Sequence, residues 1–294
     1  MRTTTASPVR SHGARRVGAG STLLRPWLLV LIGGAVLWAG LTWATIETGN
    51  LNLVPSVIVL GAFLGPVAFV AWVYDRAREV PLPTLLICFV TGGALGVTGA
   101  SLLEYRTMID LGALPTVAVG LAEESCKLIV PLAIFLTGRY RREADGLLIG
   151  VASGMGFAAF ETMGYGLTAL LVSQGRIDEV VKLLFVRGVL APAGHAAWTG
   201  LMCAALWRAR LRPGVRSVAV VVGAFLTVVT LHALWDAATA QWVQLAVGAV
   251  SLTLVLWRLH AASAEMEQEP SAEREPSAER HTLPGVAPYA TPRS

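Results

Sequence analysis

The chain has 294 residues, 54% hydrophobic and only 14% charged, with a formal net charge of +4. Soluble domains carry roughly 25% charged residues, and the mean hydropathy here is +0.62, so a soluble globular protein is excluded in favour of a chain that crosses a membrane repeatedly. The positive charge carries no aromatic interleaving and no nucleic-acid-binding motif, so a nucleic-acid partner is not expected.

In chain order, residues 1–26 come first, with Arg2, Arg10, Arg15, Arg16 and Arg25 and no acid, a cytoplasmic basic arm that acts as a topology signal. Apolar runs then predict helices near 27–46, 54–74, 83–103, 111–137, 146–172, 184–207, 215–236 and 239–259. The first run is long and is followed by "ETGNLN" rather than a small-residue cleavage site, so it reads as a retained span. The fold class is therefore all-α: a polytopic membrane bundle of about eight transmembrane helices occupying residues 27–260. Basic residues mostly alternate between successive loops, which places both termini in the cytoplasm; the loop with Arg176, Lys182 and Arg187 fits this pattern least. The Arg-rich, Lys-poor composition suggests a high-GC bacterium and hence its plasma membrane. Residues 261–294 contain "EPSAEREPSAER", which offers too little apolar surface for a core and predicts a disordered tail. Cys88, Cys126 and Cys203 lie in apolar runs without metal-site spacing and read as packing residues.

Against this background the ionisable residues inside the spans stand out. The fourth run holds "EESCK", with Glu123, Glu124 and Lys127; the fifth holds Glu161; the sixth His195; the seventh His232 and Asp236. The three ionisable groups of the fourth run alone cost at least a few kcal/mol each to insert. Lipid offers none of these residues a partner, so they should face one another in the bundle interior. Glu123 and Lys127 are i,i+4, and Glu124 and Lys127 are i,i+3, so the lysine can neutralise either acid. His232 and Asp236 are i,i+4, which lets the carboxylate orient the imidazole. Treated as unbroken helices, these runs put Glu124 about 20 Å from either end of its own, and the set gathers at mid-membrane or slightly outward, apart from Asp236, which sits near the outer end. Small residues in "GMGFAAFETMGYG" and "APAGHAAW" let backbones approach closely. Two His and several Glu suit Zn²⁺, with a further Glu to take a proton from water. The same groups also suit the proton relay of an ion-coupled transporter, and the residues alone leave protease and transporter open.

Four motifs in order resemble the PrsW family of intramembrane proteases, relatives of the type II CAAX-prenyl endopeptidases: Glu123-Glu124-Ser125-Cys126-Lys127, Phe157 to Glu161, His195, and His232 to Asp236. The resemblance covers roughly residues 80–240. It implies an intramembrane endopeptidase that cleaves membrane-anchored proteins, typified by site-1 cleavage of an anti-sigma factor. On this reading Glu124 activates water with Glu123 assisting, Lys127 sets their charge, and Asp236 orients His232. Glu161, His195 and His232 then bind Zn²⁺ or, in a metal-free glutamic mechanism, hold the water and the oxyanion.

The topology gives a first prediction. A reporter active only outside the cytoplasm, fused after Ser294, should be silent; a signal there would show that one span is miscounted.

Overall fold

The computed structural model describes residues 25–76 and 80–268; the arm up to residue 24 and the repeat-bearing end of the chain lie outside the described residues. Those residues form helices throughout: α1 (Pro26–Thr48), α2 (Val54–Tyr74), α3 (Leu82–Ile87), α4 (Gly93–Leu111), α5 (Thr116–Lys127), α6 (Ile129–Leu136), α7 (Glu143–Val172), α8 (Ile177–Leu190), α9 (His195–Leu211), α10 (Val215–Ala237) and α11 (Gln241–Gln268). Among the described residues, seven helical runs are long and apolar enough to cross a membrane. With α5–α6 as a further, broken run, they make the polytopic helical bundle expected from the sequence. Large apolar side chains such as Leu29, Ile32, Val36 and Leu37 on α1 remain exposed, as a lipid-facing surface requires.

The breaks in these runs have local causes. The run expected at 111–137 is not one helix. Gly112, at φ 66°, closes α4 in the left-handed conformation, and Pro115 precedes α5. A second break falls at Leu128, because Pro131 has no N–H to give the Lys127 carbonyl four residues back. The Ser153 hydroxyl donates to that carbonyl instead, at 2.8 Å. Glu124 consequently lies only about 12 Å from the start of its helix. The run expected at 184–207 likewise divides. It begins at Ile177, ends α8 at Leu190, makes a 3₁₀ turn over Ala191–Ala193 that contains Pro192, and restarts at His195. The third run carries a π-type turn at Cys88–Gly92 between α3 and α4. At the other end, α11 continues to Gln268, into the segment expected to be tail.

Two compact units divide the chain. One draws on Met1–Asp75 and Ala159–Val189. Its core is Val54, Ile58, Ala62, Val180 and Leu184, and the Trp38 indole donates to the Val57 carbonyl at 3.0 Å. The other draws on Arg76–Ala158 and Leu190–Ser294. Within it α5 packs on α4 and α10, and α9 packs on α10 and α11.

The first half of α7 reaches α9 through glycines four residues apart. A Cβ at Gly146 would fall 2.6 Å from the Trp207 ring, and one at Gly150 would fall 2.8 Å from Cys203 Cβ. One at Gly154 would collide with the His195 carbonyl. This small-residue stripe is the membrane device for close backbone approach, and it brings the start of α9 to the level of Ser153.

A second prediction follows from that stripe. Gly150→Val should lower thermal stability in detergent by about 1–3 kcal/mol through overpacking. Gly223→Ala, where nothing lies within 4 Å of the added carbon, should be neutral or stabilising by up to about 1 kcal/mol. Equal melting temperatures for the two variants would contradict the packing role.

Candidate active site

Lys127 is the last residue of α5 and is fully buried. Its Nζ lies 3.0 Å from Glu123 Oε2, 2.7 Å from Glu124 Oε1 and 2.9 Å from His195 Nδ1. An ammonium has three N–H donors and no acceptor, and here each meets one acceptor. The helix supplies two of them by spacing alone; the third arrives because α9 begins at His195. The Phe157 ring, buried on α7, lies 4.2 Å from the same Nζ and closes its apolar side.

The lysine also fixes a tautomer. Since Nζ can only donate, His195 Nδ1 accepts, and a neutral His195 carries its proton on Nε2. His195 is thereby a hydrogen-bond donor toward whatever faces its other nitrogen.

His232 comes from α10, where Gly120 of α5 lets the helices close: a Cβ at Gly120 would lie 3.1 Å from the Val229 carbonyl and 3.4 Å from His232 Cβ. His232 Nδ1 is 2.8 Å from Glu124 Oε1, a length expected for a charge-assisted hydrogen bond. Its Nε2 is 3.5 Å from Glu123 Oε2 and 3.4 Å from Asp236 Oδ2, longer than such a bond. Glu123, Glu124 and His232 are all buried, whereas Asp236 is more open. Glu124 Oε1 thus receives Lys127 on one side and His232 on the other.

Six of the seven site residues expected from sequence therefore meet in this unit: Glu123, Glu124, Lys127, His195, His232 and Asp236. The seventh, Glu161, belongs to the other unit. There its Oε2 is 2.5 Å from Arg187 Nη2, while Arg187 Nε donates to Thr162 Oγ1 at 3.1 Å. Arg187, read from sequence only as one of the basic residues of its loop, is thus the ion-pair partner of Glu161. Ser153 and Trp198 also lie outside the expected set. The i+3 spacing of Trp198 from His195 is a readable signal for it, whereas nothing in the sequence ties Ser153 to Lys127.

The sequence model of the family described as PrsW family intramembrane metalloprotease matches residues 80–260, well over half the chain and inclusive of every residue of this cluster. The chain belongs to the PrsW family. As a PrsW protein it is an intramembrane peptidase, and its substrates are membrane-embedded proteins. The match begins with the segment leading into α3 and leaves α1 and α2 outside. No curated protein and no solved structure matches the chain.

The family description implies a metal ion, and the donor set of this PrsW chain fits one. Glu123, Glu124 and His232 each offer a ligand atom, and these atoms all lie within 4.8 Å of one another. The two contacts of His232 Nε2, at 3.4 and 3.5 Å, are close to the edge of about 3.3–3.4 Å that tetrahedral ligands make at zinc bond lengths. Charge points the same way. Glu123, Glu124 and Asp236 together carry three negative charges and Lys127 one positive, so a divalent cation would make the cluster neutral in an apolar surround.

The third prediction concerns Lys127. Lys127→Met should leave two adjacent buried carboxylates without their cation and cost about 3–5 kcal/mol, read as a lower melting temperature of the purified protein. Adding Glu124→Gln to the same chain should recover part of the loss. An unchanged melting temperature for Lys127→Met would contradict the role of the ammonium.

Proposed function

We propose that this protein is a zinc endopeptidase that hydrolyses peptide bonds of membrane-anchored proteins at the Glu123, Glu124, Lys127, His195, His232 and Asp236 cluster. The observation that carries the reading is the ammonium of Lys127 joined at once to two carboxylates and an imidazole, beside a second imidazole that shares one of those carboxylates.

The roles follow from the contacts. Glu124 accepts the Nδ1–H of His232, which leaves Nε2 with its lone pair, the carboxylate–histidine arrangement that orients a metal ligand. His232 Nε2 and Glu123 would hold the ion, with Asp236 beside the same nitrogen, and in this reading they replace the ligand set of Glu161, His195 and His232 expected from sequence. Glu161 is assigned to its pair with Arg187, and His195 to hydrogen-bond donation, because its Nδ1 already faces Lys127. A divalent ion bound there supplies Lewis-acid polarisation of the scissile carbonyl.

The chain's own groups do the rest. Glu124 is held at Oε1 by two donors, which leaves Oε2 to take the proton of the attacking water. Its oxygen bonds to the carbonyl carbon, and the carbonyl electron pair moves onto oxygen. The Nε2–H of His195 donates to that oxyanion. The C–N bond then breaks as the amide nitrogen receives the proton from Glu124. Lys127 keeps its ammonium throughout and holds Glu123 and Glu124 at fixed spacing. We assign the protein to a bacterial plasma membrane with both termini cytoplasmic, and a membrane-bound anti-sigma factor is the substrate class to try first.

The fourth prediction tests this chemistry. Glu124→Gln should insert and fold yet lower cleavage of a membrane-anchored substrate by at least about a thousandfold, of the order seen when a catalytic base is lost. Exhaustive chelation should abolish activity, and Zn²⁺ should restore it, with about one zinc per chain by metal analysis. Full activity after chelation would remove the metal and leave a glutamic mechanism. Undiminished activity in Glu124→Gln would remove the site itself.

A further inference from the structure

The stacking contact on the face of His232 has no role in the chemistry above. The Trp198 indole stacks on the His232 imidazole with ring centroids 4.6 Å apart and planes inclined by 25°. This is the offset-stacked range for aromatic pairs. Trp198 is only 1% exposed, packed among Val228, Leu231, Trp235, Val243 and Val247. Its Nε1–H donates to Ser251 Oγ on α11 at 3.0 Å, and Ser251 is itself fully buried. Between Gln244 and Arg258, α11 is otherwise apolar apart from Thr253, which is exposed and hydrogen-bonds its own helix.

Hydrogen bonds at the edges of an imidazole fix where its nitrogens point but leave its face open, and χ2 of histidine is a broad, roughly two-fold torsion. A flat group against the face removes that freedom. A flip of the His232 ring would take Nδ1 away from Glu124 and Nε2 away from Glu123 and Asp236. The stack opposes the flip only if the indole cannot turn; the apolar side chains around Trp198 confine the ring, and the buried hydroxyl of Ser251 fixes its Nε1–H edge.

We infer that Ser251 of α11 and Trp198 of α9 form a positioning relay that locks the plane of the His232 ring. Neither residue touches substrate. The inference rests on the reading of His232 as a working group of the site. It gives α11, which contributes no acid, lysine or histidine to the cluster, a part in the reaction.

The test uses the full-length protein in nanodiscs. Ser251→Ala removes one acceptor with little change of volume. It should lower kcat about fivefold to tenfold, the loss of one buried hydrogen bond, with KM unchanged. Ser251→Thr, which keeps the acceptor, should recover most of that loss. Trp198→Phe should resemble Ser251→Ala, and the double variant should be no worse than either single one, because both break the same link. A second readout is independent of turnover. The chain has five histidines, so histidine-labelled protein gives a small spectrum in which the His232 ring signals are assigned by their loss in His232→Asn. Those signals should be shifted upfield by the indole in the wild type and should move downfield in Ser251→Ala. Multiplying losses in the double variant, or a Ser251→Ala protein with full kcat and unmoved His232 signals, would overturn the relay and reduce Trp198 to packing. The spectra decide the relay even if Glu124→Gln proves active, so its failure and that of the protease reading remain distinguishable.

Discussion

The fully buried ammonium of Lys127 is the constraint on which the rest of the site depends. A cation in hydrocarbon is tolerated only with its donors satisfied and its charge matched. Glu123 and Glu124 meet the second need from one turn away on the same helix, and His195 completes the first from another helix. Each contact then fixes something further along. Glu124 is held so that it also receives His232, and His195 is held with its proton on the far nitrogen. The geometry of the cluster is in this sense a by-product of solving a solvation problem.

Helix interruption makes that solution reachable. A continuous helix through Lys127 would send its carbonyl to the residue four ahead, but Pro131 has no N–H to meet it. Ser153 donates instead and pins α7 to the end of α5. The turn around Pro192 similarly puts His195 at a helix start rather than on a helix flank. Irregular backbone is stable at membrane depth where protein surrounds it, and both interruptions lie beside the polar cluster. Glycines at 146, 150 and 154 then let α7 and α9 close to backbone contact.

Charge accounts for the cluster's chemistry as well as its cohesion. Glu161 and Arg187 neutralise each other within their own unit. The cluster in the other unit sets three carboxylates, Glu123, Glu124 and Asp236, against the one lysine, Lys127, an imbalance suited to a divalent ion and to the Lewis-acid assistance that peptide hydrolysis uses. Glu124 is common to both halves of this arrangement, since it answers Lys127 and His232 through the same oxygen.

Several features were legible in the sequence because they are local or compositional. Hydropathy alone establishes a polytopic helical membrane protein, since lipid leaves the backbone few ways to satisfy its hydrogen bonds. The i,i+3 and i,i+4 spacings of Glu123, Glu124 and Lys127 establish their mutual neutralisation, because helix geometry puts them on one face. The order of the motifs points to the PrsW family. Tertiary structure alone decided which partners answer across helices. It gave His195 to Lys127, Trp198 to His232, Ser153 to the Lys127 carbonyl and Glu161 to Arg187. These pairings depend on the depth and rotation of helices far apart in the chain. Depth shifted wherever Gly112, Pro131 and Pro192 cut an apolar run, and no spacing along one helix records where the next one stops.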